Sequence, residues 1–300
     1  MLSFYYMEYL VAIILGFTEG ATEFIPVSSS GHLILVRELL GANNVGGLAF
    51  DAVLQFSATL AIVVYFWKDL LMLFVIFLRI LSRHVFLGAR INLWCDFAQS
   101  RLPACEVSQK DMISTNSQKN EILFWSVVLG TIPAIVAGLF LENYMDTVFR
   151  SAKLVALTLI LGSVLFWFAE RVAKYNKEIS LKRGVLIGLF QSLALVPGVS
   201  RSGATISGGL ILGLTKDEAV RFSFLLSIPI LLGAGLKKIF EVRAELFTSD
   251  FGVPVLLGSI VSFTVGLFAI SFLIKYLKNH SLNLFIWYRV ILAILIFVLL

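Results

Sequence analysis

Two polar clusters interrupt a strongly apolar chain, and both carry residue types that could do chemistry. The first, Glu19 to His32, reads EGATEFIPVSSSGH, and the second, Pro197 to Thr205, reads PGVSRSGAT. Glu19 and Glu23 are four apart, so on a helix they share one face. Two carboxylates that close either share a proton or bind a divalent cation through oxygen, with Mg or Ca the expected ion. In the second cluster a Pro-Gly turn precedes Ser200, Arg201, Ser202 and Gly203. A helix starting just after it would offer free N–H groups, serine donors and a guanidinium fork, which is an anion site suited to phosphate. His32 sits in the same turn as Ser28, Ser29 and Ser30, and a serine-histidine pair can attack phosphorus or a carbonyl. The arginine and the expected metal favour phosphorus, because phosphoryl transfer depends on positioning and charge neutralisation.

The elements that must hold these residues are membrane helices. The 300 residues are 59% hydrophobic and 14% charged. Apolar runs recur at about the 20-residue length a helix needs to cross a bilayer, with none of the short alternation of a barrel. Ionisable groups at membrane depth face a water-filled cavity or a partner and are functional by default. The net charge of +5 comes from basic residues in short loops, so it reports topology and argues against nucleic acid as a partner. The first apolar run contains Glu8, Glu19 and Glu23 with no Lys or Arg before it, unlike a cleavable signal peptide. Cys95 and Cys105, nine residues apart in a polar loop without a histidine pair, do not have a zinc spacing.

Along the chain, an apolar segment over residues 8–24 and a short one from Leu33 to Leu40 flank the first cluster, as arms of a re-entrant pair. Full spans are expected at Ala49–Trp67, Ile122–Leu141, Leu154–Ala169, Ala219–Leu236, Val253–Ile274 and Leu284–Leu300. Residues 69–81 read as a hairpin arm or interfacial helix, and 82–120 as a polar cytoplasmic loop. Gly184–Val196 and Ile206–Leu214 flank the second cluster as another re-entrant pair.

The two clusters are related by an internal repeat. At an offset of 172 without gaps, Gly16 meets Gly188, VSSSG meets VSRSG, Leu40-Gly41 meets Leu212-Gly213, and Phe50 and Leu54 meet Phe222 and Leu226. The expected fold is therefore an all-α integral membrane protein of two repeats, 1–170 and 171–300, each with one re-entrant helix pair and three crossings. Three is odd, so the repeats have inverted topology and their broken segments meet near the midplane. Fifteen Lys and Arg residues then fall on one side and six on the other, which places the first group in the cytoplasm and both termini outside. Arg201, Arg221 and Arg289 remain within or at apolar segments. The halves diverge where chemistry is expected: Glu19, Glu23 and His32 stand where the second half has Gln191, Leu195 and Ala204, and Arg201 stands where the first has Ser29.

Through EGATEFIPVSSSGH (Glu19 to His32), PGVSRSGATISGG (Pro197 to Gly209) and FDAVLQFSATLAIVVYFW (Phe50 to Trp67), the chain resembles the undecaprenyl pyrophosphate phosphatases of the bacterial bacitracin-resistance type over nearly its whole length. The resemblance implies hydrolysis of undecaprenyl diphosphate to the monophosphate and phosphate, at the outer face of the cytoplasmic membrane, returning the lipid carrier to peptidoglycan synthesis. It assigns the acidic pair to Glu19 and Glu23, the serine and histidine to Ser29 and His32, and phosphate binding to Ser200, Arg201, Ser202 and the following Thr205. Ser28, Ser30 and Gln55 are added as candidate substrate contacts. The implied partners are the prenyl diphosphate and the bilayer, with a homodimer as the candidate assembly. The loop over residues 83–120 is longer than the family pattern. The expected mechanism has Ser29 attack with His32 as base; His32 as nucleophile, or as activator of water, stays open. The alternative from another class is an inverted-repeat transporter or flippase that binds the same headgroup without cleaving it.

Overall fold

A computed structural model describes residues 2–42, 47–84, 109–146, 151–246 and 252–300. Among these the protein is entirely helical, with eleven helices: α1 Leu2–Phe24, α2 Ser29–Leu39, α3 Gly47–Tyr65, α4 Trp67–His84, α5 Gln109–Asp146, α6 Ala152–Val172, α7 Leu181–Leu193, α8 Arg201–Ile211, α9 Lys216–Leu246, α10 Gly252–Asn279 and α11 Asn283–Leu299. Cys95, Cys105 and most of the expected cytoplasmic loop lie outside the described residues.

Four segments are long and apolar enough to cross a bilayer: Gln118–Leu141, Ala152–Val172, Lys216–Glu241 and Gly252–Asn279. A fifth, in α3, continues through Phe66 into α4 with a bend of 77°. The sixth, α11, is apolar but has 17 residues. Because α2 and α8 have 11 residues each and α7 has 13, at 1.5 Å per residue they cover about 16–20 Å, short of a bilayer core of about 30 Å. They are the short arms of the two re-entrant pairs. Helix α1, at 23 residues, is longer than its expected segment because Leu2–Met7 continue it. Helix also runs over 109–120, where a loop was expected. There Lys119 on α5 pairs with Glu178 in the connector before α7 at 2.9 Å.

The duplication is present in the backbone. Ser28 and Ser200, 172 apart, both take positive φ (74° and 72°) immediately before α2 and α8. Gly41 and Gly213, also 172 apart, take φ of 60° and 91° just after those helices. In each, the glycine N–H and the following N–H reach back to helix carbonyls: Gly41 to Glu38 and Ala42 to Arg37, Gly213 to Leu210 and Leu214 to Gly209, at 2.8–3.0 Å. These are two copies of one Schellman ending.

Inversion shows in how equivalent helices meet. Phe56 of α3 packs on Gly235 of α9 while Phe66, just past α3, packs on Phe224 with ring centroids 5.8 Å apart, so α3 and α9 run antiparallel. Likewise Ser163 of α6 accepts from Arg289 of α11 at 3.2 Å, and Glu170 accepts from the Leu282 N–H at 2.8 Å. Helix α1 packs along α10, and its counterpart α7 along α5.

Both of those seams are backbone-to-backbone contacts at repeat-equivalent glycines. A Cβ on Gly16 would overlap the Gly258 carbonyl, and one on Gly188 would overlap the Gly130 carbonyl. This is small-residue packing of membrane helices, which lets backbones approach closely. Gly188→Val should lower the thermal midpoint of the detergent-solubilised protein. Overpacking of about 1–3 kcal/mol outweighs the few tenths of a kcal/mol that valine gains over glycine in a helix. An unchanged midpoint would mean the seam does not hold the helices together.

Candidate active site

The last two turns of α1 bury Glu19 (1% exposed) and Glu23 (6% exposed) on one face. Their neighbours Thr18 and Thr22 are satisfied within the helix, donating to Ile14 and Thr18 carbonyls at 2.8 and 2.6 Å. Pro26 cannot continue the helix in register, and the chain turns at Ser28 so that α2 starts at Ser29 beneath the carboxylates. The Ser29 hydroxyl donates to Glu23 Oε2 at 2.7 Å. The other oxygen, Oε1, accepts from the Arg201 guanidinium and from Gln55 Nε2 at 3.4 Å. Glu23 therefore gathers groups from α2, α3 and α8.

Arg201 comes from the opposite tip, where α7 ends and the chain passes through Pro197–Val199 to Ser200. Ser200 caps α8 by accepting from the Gly203 N–H at 3.3 Å. Ser200 and Ser202 hydroxyls lie 3.3 Å apart, and their equivalents Ser28 and Ser30 lie 3.1 Å apart. The tips touch directly, since the Gly198 N–H donates to Ser30 Oγ at 3.2 Å. Positive φ at Ser28 and Ser200 stores about 1–3 kcal/mol each. The surroundings must hold both residues there, and at the second tip a buried cation does.

That cation is Arg289 on α11, which is fully buried. It donates to the Gly198 carbonyl at 2.9 Å, Val199 at 3.1 Å, Leu159 at 3.1 Å and Ser163 Oγ at 3.2 Å, and lies over the Phe166 ring at 4.6 Å. A charged arginine at membrane depth costs about 2.5–3.5 kcal/mol on insertion scales. Bonds from a charged donor contribute about 1.5–3 kcal/mol each, so four of them outweigh that cost. At the turn they grip, Gly198 has φ of 94°, and a Cβ there would lie 2.7 Å from the Val155 carbonyl, so only glycine fits.

The sequence-derived candidates thus fall in two groups. Glu23, Ser29, Gln55 and Arg201 form one bonded cluster, with Ser28, Ser30, Ser200 and Ser202 at the adjoining tips. Thr205 is fully buried one turn into α8, where its hydroxyl lies within bonding distance of the Arg201 and Ser202 carbonyls and of Ser223 on α9, so it supports the tip from behind. His32 is not bonded to Ser29. Its Nδ1 lies 2.7 Å from the Ser28 carbonyl and its Nε2 lies 2.7 Å from the Tyr288 hydroxyl. Tyr288 and Arg289 did not emerge as site residues from the sequence. Arg289 carried a signal, a charge inside an apolar segment, whereas a tyrosine in a membrane helix carries none.

The acidic pair suits a divalent cation. Glu19 Oε2 is buried without a hydrogen-bond partner, and a buried carboxylate oxygen in that state calls for a proton or a cation. No group of three or more His, Cys, Asp or Glu side chains among the described residues could hold a metal by itself. Glu19 and Glu23 would supply such an ion with one or two carboxylates, the number Mg²⁺ usually takes from a protein.

Comparison with known proteins agrees with this architecture. The family model described as bacitracin resistance protein BacA matches residues 12–295. Relatives named undecaprenyl-diphosphatase include proteins from Trichlorobacter lovleyi (40% identical, covering 95% of this chain and 94% of the relative), Renibacterium salmoninarum (37%, covering 98% and 96%) and Idiomarina loihiensis (36%, covering 98% and 99%). A match over this length, to a chain whose two re-entrant tips meet at Glu23 and Arg201, means that the protein belongs to the bacitracin resistance protein BacA family.

Proposed function

We infer that this multi-pass membrane protein is an undecaprenyl-diphosphatase, hydrolysing undecaprenyl diphosphate to undecaprenyl phosphate and inorganic phosphate and so recycling the lipid carrier for peptidoglycan synthesis. The observation that carries the chemistry is the Ser29–Glu23–Arg201 chain, in which a hydroxyl, a carboxylate and a guanidinium from opposite tips are bonded in series. A transporter needs a headgroup site; a serine already donating its proton to a buried carboxylate is what a phosphoryl-transfer enzyme needs.

Arg201 with the Ser200 and Ser202 hydroxyls holds the terminal phosphate. Ser29 Oγ attacks phosphorus as its proton passes to Glu23 Oε2. The O–P bond forms while the bridging P–O bond breaks, and undecaprenyl phosphate leaves. Water then attacks the phosphoserine phosphorus, the Oγ–P bond breaks, Ser29 Oγ takes its proton back from Glu23, and phosphate leaves. Glu23 rather than His32 is the base here because Ser29 is bonded to Glu23. A divalent cation on Glu19 and Glu23 would neutralise diphosphate charge. The excess of basic residues on one side supports an outward-facing site in a bacterial cytoplasmic membrane.

Purified protein in detergent, given undecaprenyl diphosphate, should release phosphate with Mg²⁺ or Ca²⁺ present, fall to background with EDTA, and recover when the ion is restored. Headgroup binding without release would favour the flippase. Release unaffected by EDTA would remove the metal.

A further inference from the structure

Helix α11 touches both re-entrant tips through consecutive residues. Arg289 grips the carbonyls of Gly198 and Val199 at the second tip, and Tyr288 meets His32 at the first. Because Arg289 is fully buried and bonded four ways, α11 cannot rotate or slide without breaking those bonds, and Tyr288 is held in register by its neighbour.

The bonds on His32 determine its protonation pattern. Nδ1 lies 2.7 Å from the Ser28 carbonyl, which can only accept, so Nδ1 must carry a hydrogen. In the neutral imidazole Nε2 is then an acceptor, and the Tyr288 hydroxyl, 2.7 Å away, must be its donor. The two rings lie nearly parallel, with an interplanar angle of 9° and centroids 5.5 Å apart. The Nε2 lone pair, the only basic site on the ring, is therefore covered by Tyr288 and not offered to Ser29.

We propose that Tyr288 is a positioning residue of the active site: its hydroxyl locks His32 in the Nδ1–H tautomer, orients the ring against the first tip, and by occupying Nε2 leaves Glu23 as the acceptor for the Ser29 proton. His32 then serves as a neutral strut, bonded to the Ser28 carbonyl behind the nucleophile. This assignment rests on the placement of the active site at the two tips, but its spectroscopic readout does not depend on turnover.

Tyr288→Phe keeps the ring and deletes only the hydroxyl. Partners that fix a histidine's tautomer are worth about 10–100-fold in metal sites, and a similar fall is expected here in kcat, with KM for undecaprenyl diphosphate within about twofold of the parent. In protein labelled with ¹⁵N at histidine, the His32 resonances, identified by their loss in His32→Gln, should show a protonated Nδ1 and a hydrogen-bonded, unprotonated Nε2 near neutral pH. In Tyr288→Phe the Nε2 resonance should shift. A parent spectrum with the proton on Nε2, or a Tyr288→Phe protein with unchanged kcat, would overturn the proposal. If Tyr288→Phe does not fold, the tautomer measured in the parent still decides it. If the tautomer is as expected and no variant or parent protein releases phosphate, the phosphatase reading fails while the His32–Tyr288 pairing stands.

Discussion

Arg201→Ala should lower kcat/KM for undecaprenyl diphosphate by at least about 10³-fold, the low end of what a phosphate-clamping arginine contributes to phosphoryl transfer. Arg201 is the cation that the second tip delivers to the first, and it is bonded to the carboxylate that also holds Ser29. Its side chain is 14% exposed and that of Glu23 4%, so the pair is largely withdrawn from solvent. Removing one partner of such a pair leaves an uncompensated buried charge and costs about 3–5 kcal/mol. Part of the expected effect is thus on stability, and the thermal midpoint should be measured alongside turnover. Arg201→Lys separates the two contributions. It keeps the charge near Glu23 and should recover much of the midpoint, but an ammonium lacks the planar fork that engages two oxygens at once, so its kcat/KM should stay well below the parent's. Full activity in Arg201→Lys would show that charge alone suffices.

Glu23→Gln should lower kcat by about 10²–10⁴-fold, the range associated with loss of a positioned general base. The amide has the shape of the carboxylate and its oxygen can still accept from Ser29, but it cannot take the proton. The same change removes a negative charge beside the place where an anionic headgroup would sit. Because Glu23 is also offered to the cation, the comparison is made at saturating Mg²⁺ and saturating substrate with detergent-solubilised protein, where the loss should appear mainly in kcat. A raised KM with kcat intact would recast Glu23 as a binding residue and return the choice of base to His32.

Much of the framework was legible before any coordinates. The VSSSG and VSRSG turns stand out because polar runs are rare in so apolar a chain, and their common offset follows through to matching φ values at Ser28 and Ser200 and matching helix endings at Gly41 and Gly213. Other features depend on contacts that local sequence does not encode. The break after Phe66 is marked in the sequence by Lys68 and Asp69, which interrupt the apolar run, but the 77° angle between the two arms is not. Residues 109–120 look like a loop by polarity, and half of them, among them Asp111, Ser114, Thr115 and Asn116, are weak helix formers, so the extension of α5 beyond the apolar stretch is not written in local propensity. At the site, spacing brought Ser29 and His32 into one turn but could not say which acceptor Ser29 would find. The answer lies in the chain reversal at Ser28, which aims Ser29 back at Glu23 six residues earlier, while His32 points to Tyr288, 256 residues later. Gln191 occupies the place of Glu19 in the second repeat and, like Glu19, is buried with unpaired polar atoms.

The claim on which the account turns is that the two re-entrant tips make one active site, with Glu23 and Arg201 acting as a unit. A double-mutant cycle on kcat/KM with Glu23→Gln, Arg201→Ala and the double variant tests it most directly. Groups that act together are strongly non-additive, so the double variant should be about as impaired as the worse single variant. If the two effects instead multiply, the tips contribute independently and the shared site is contradicted.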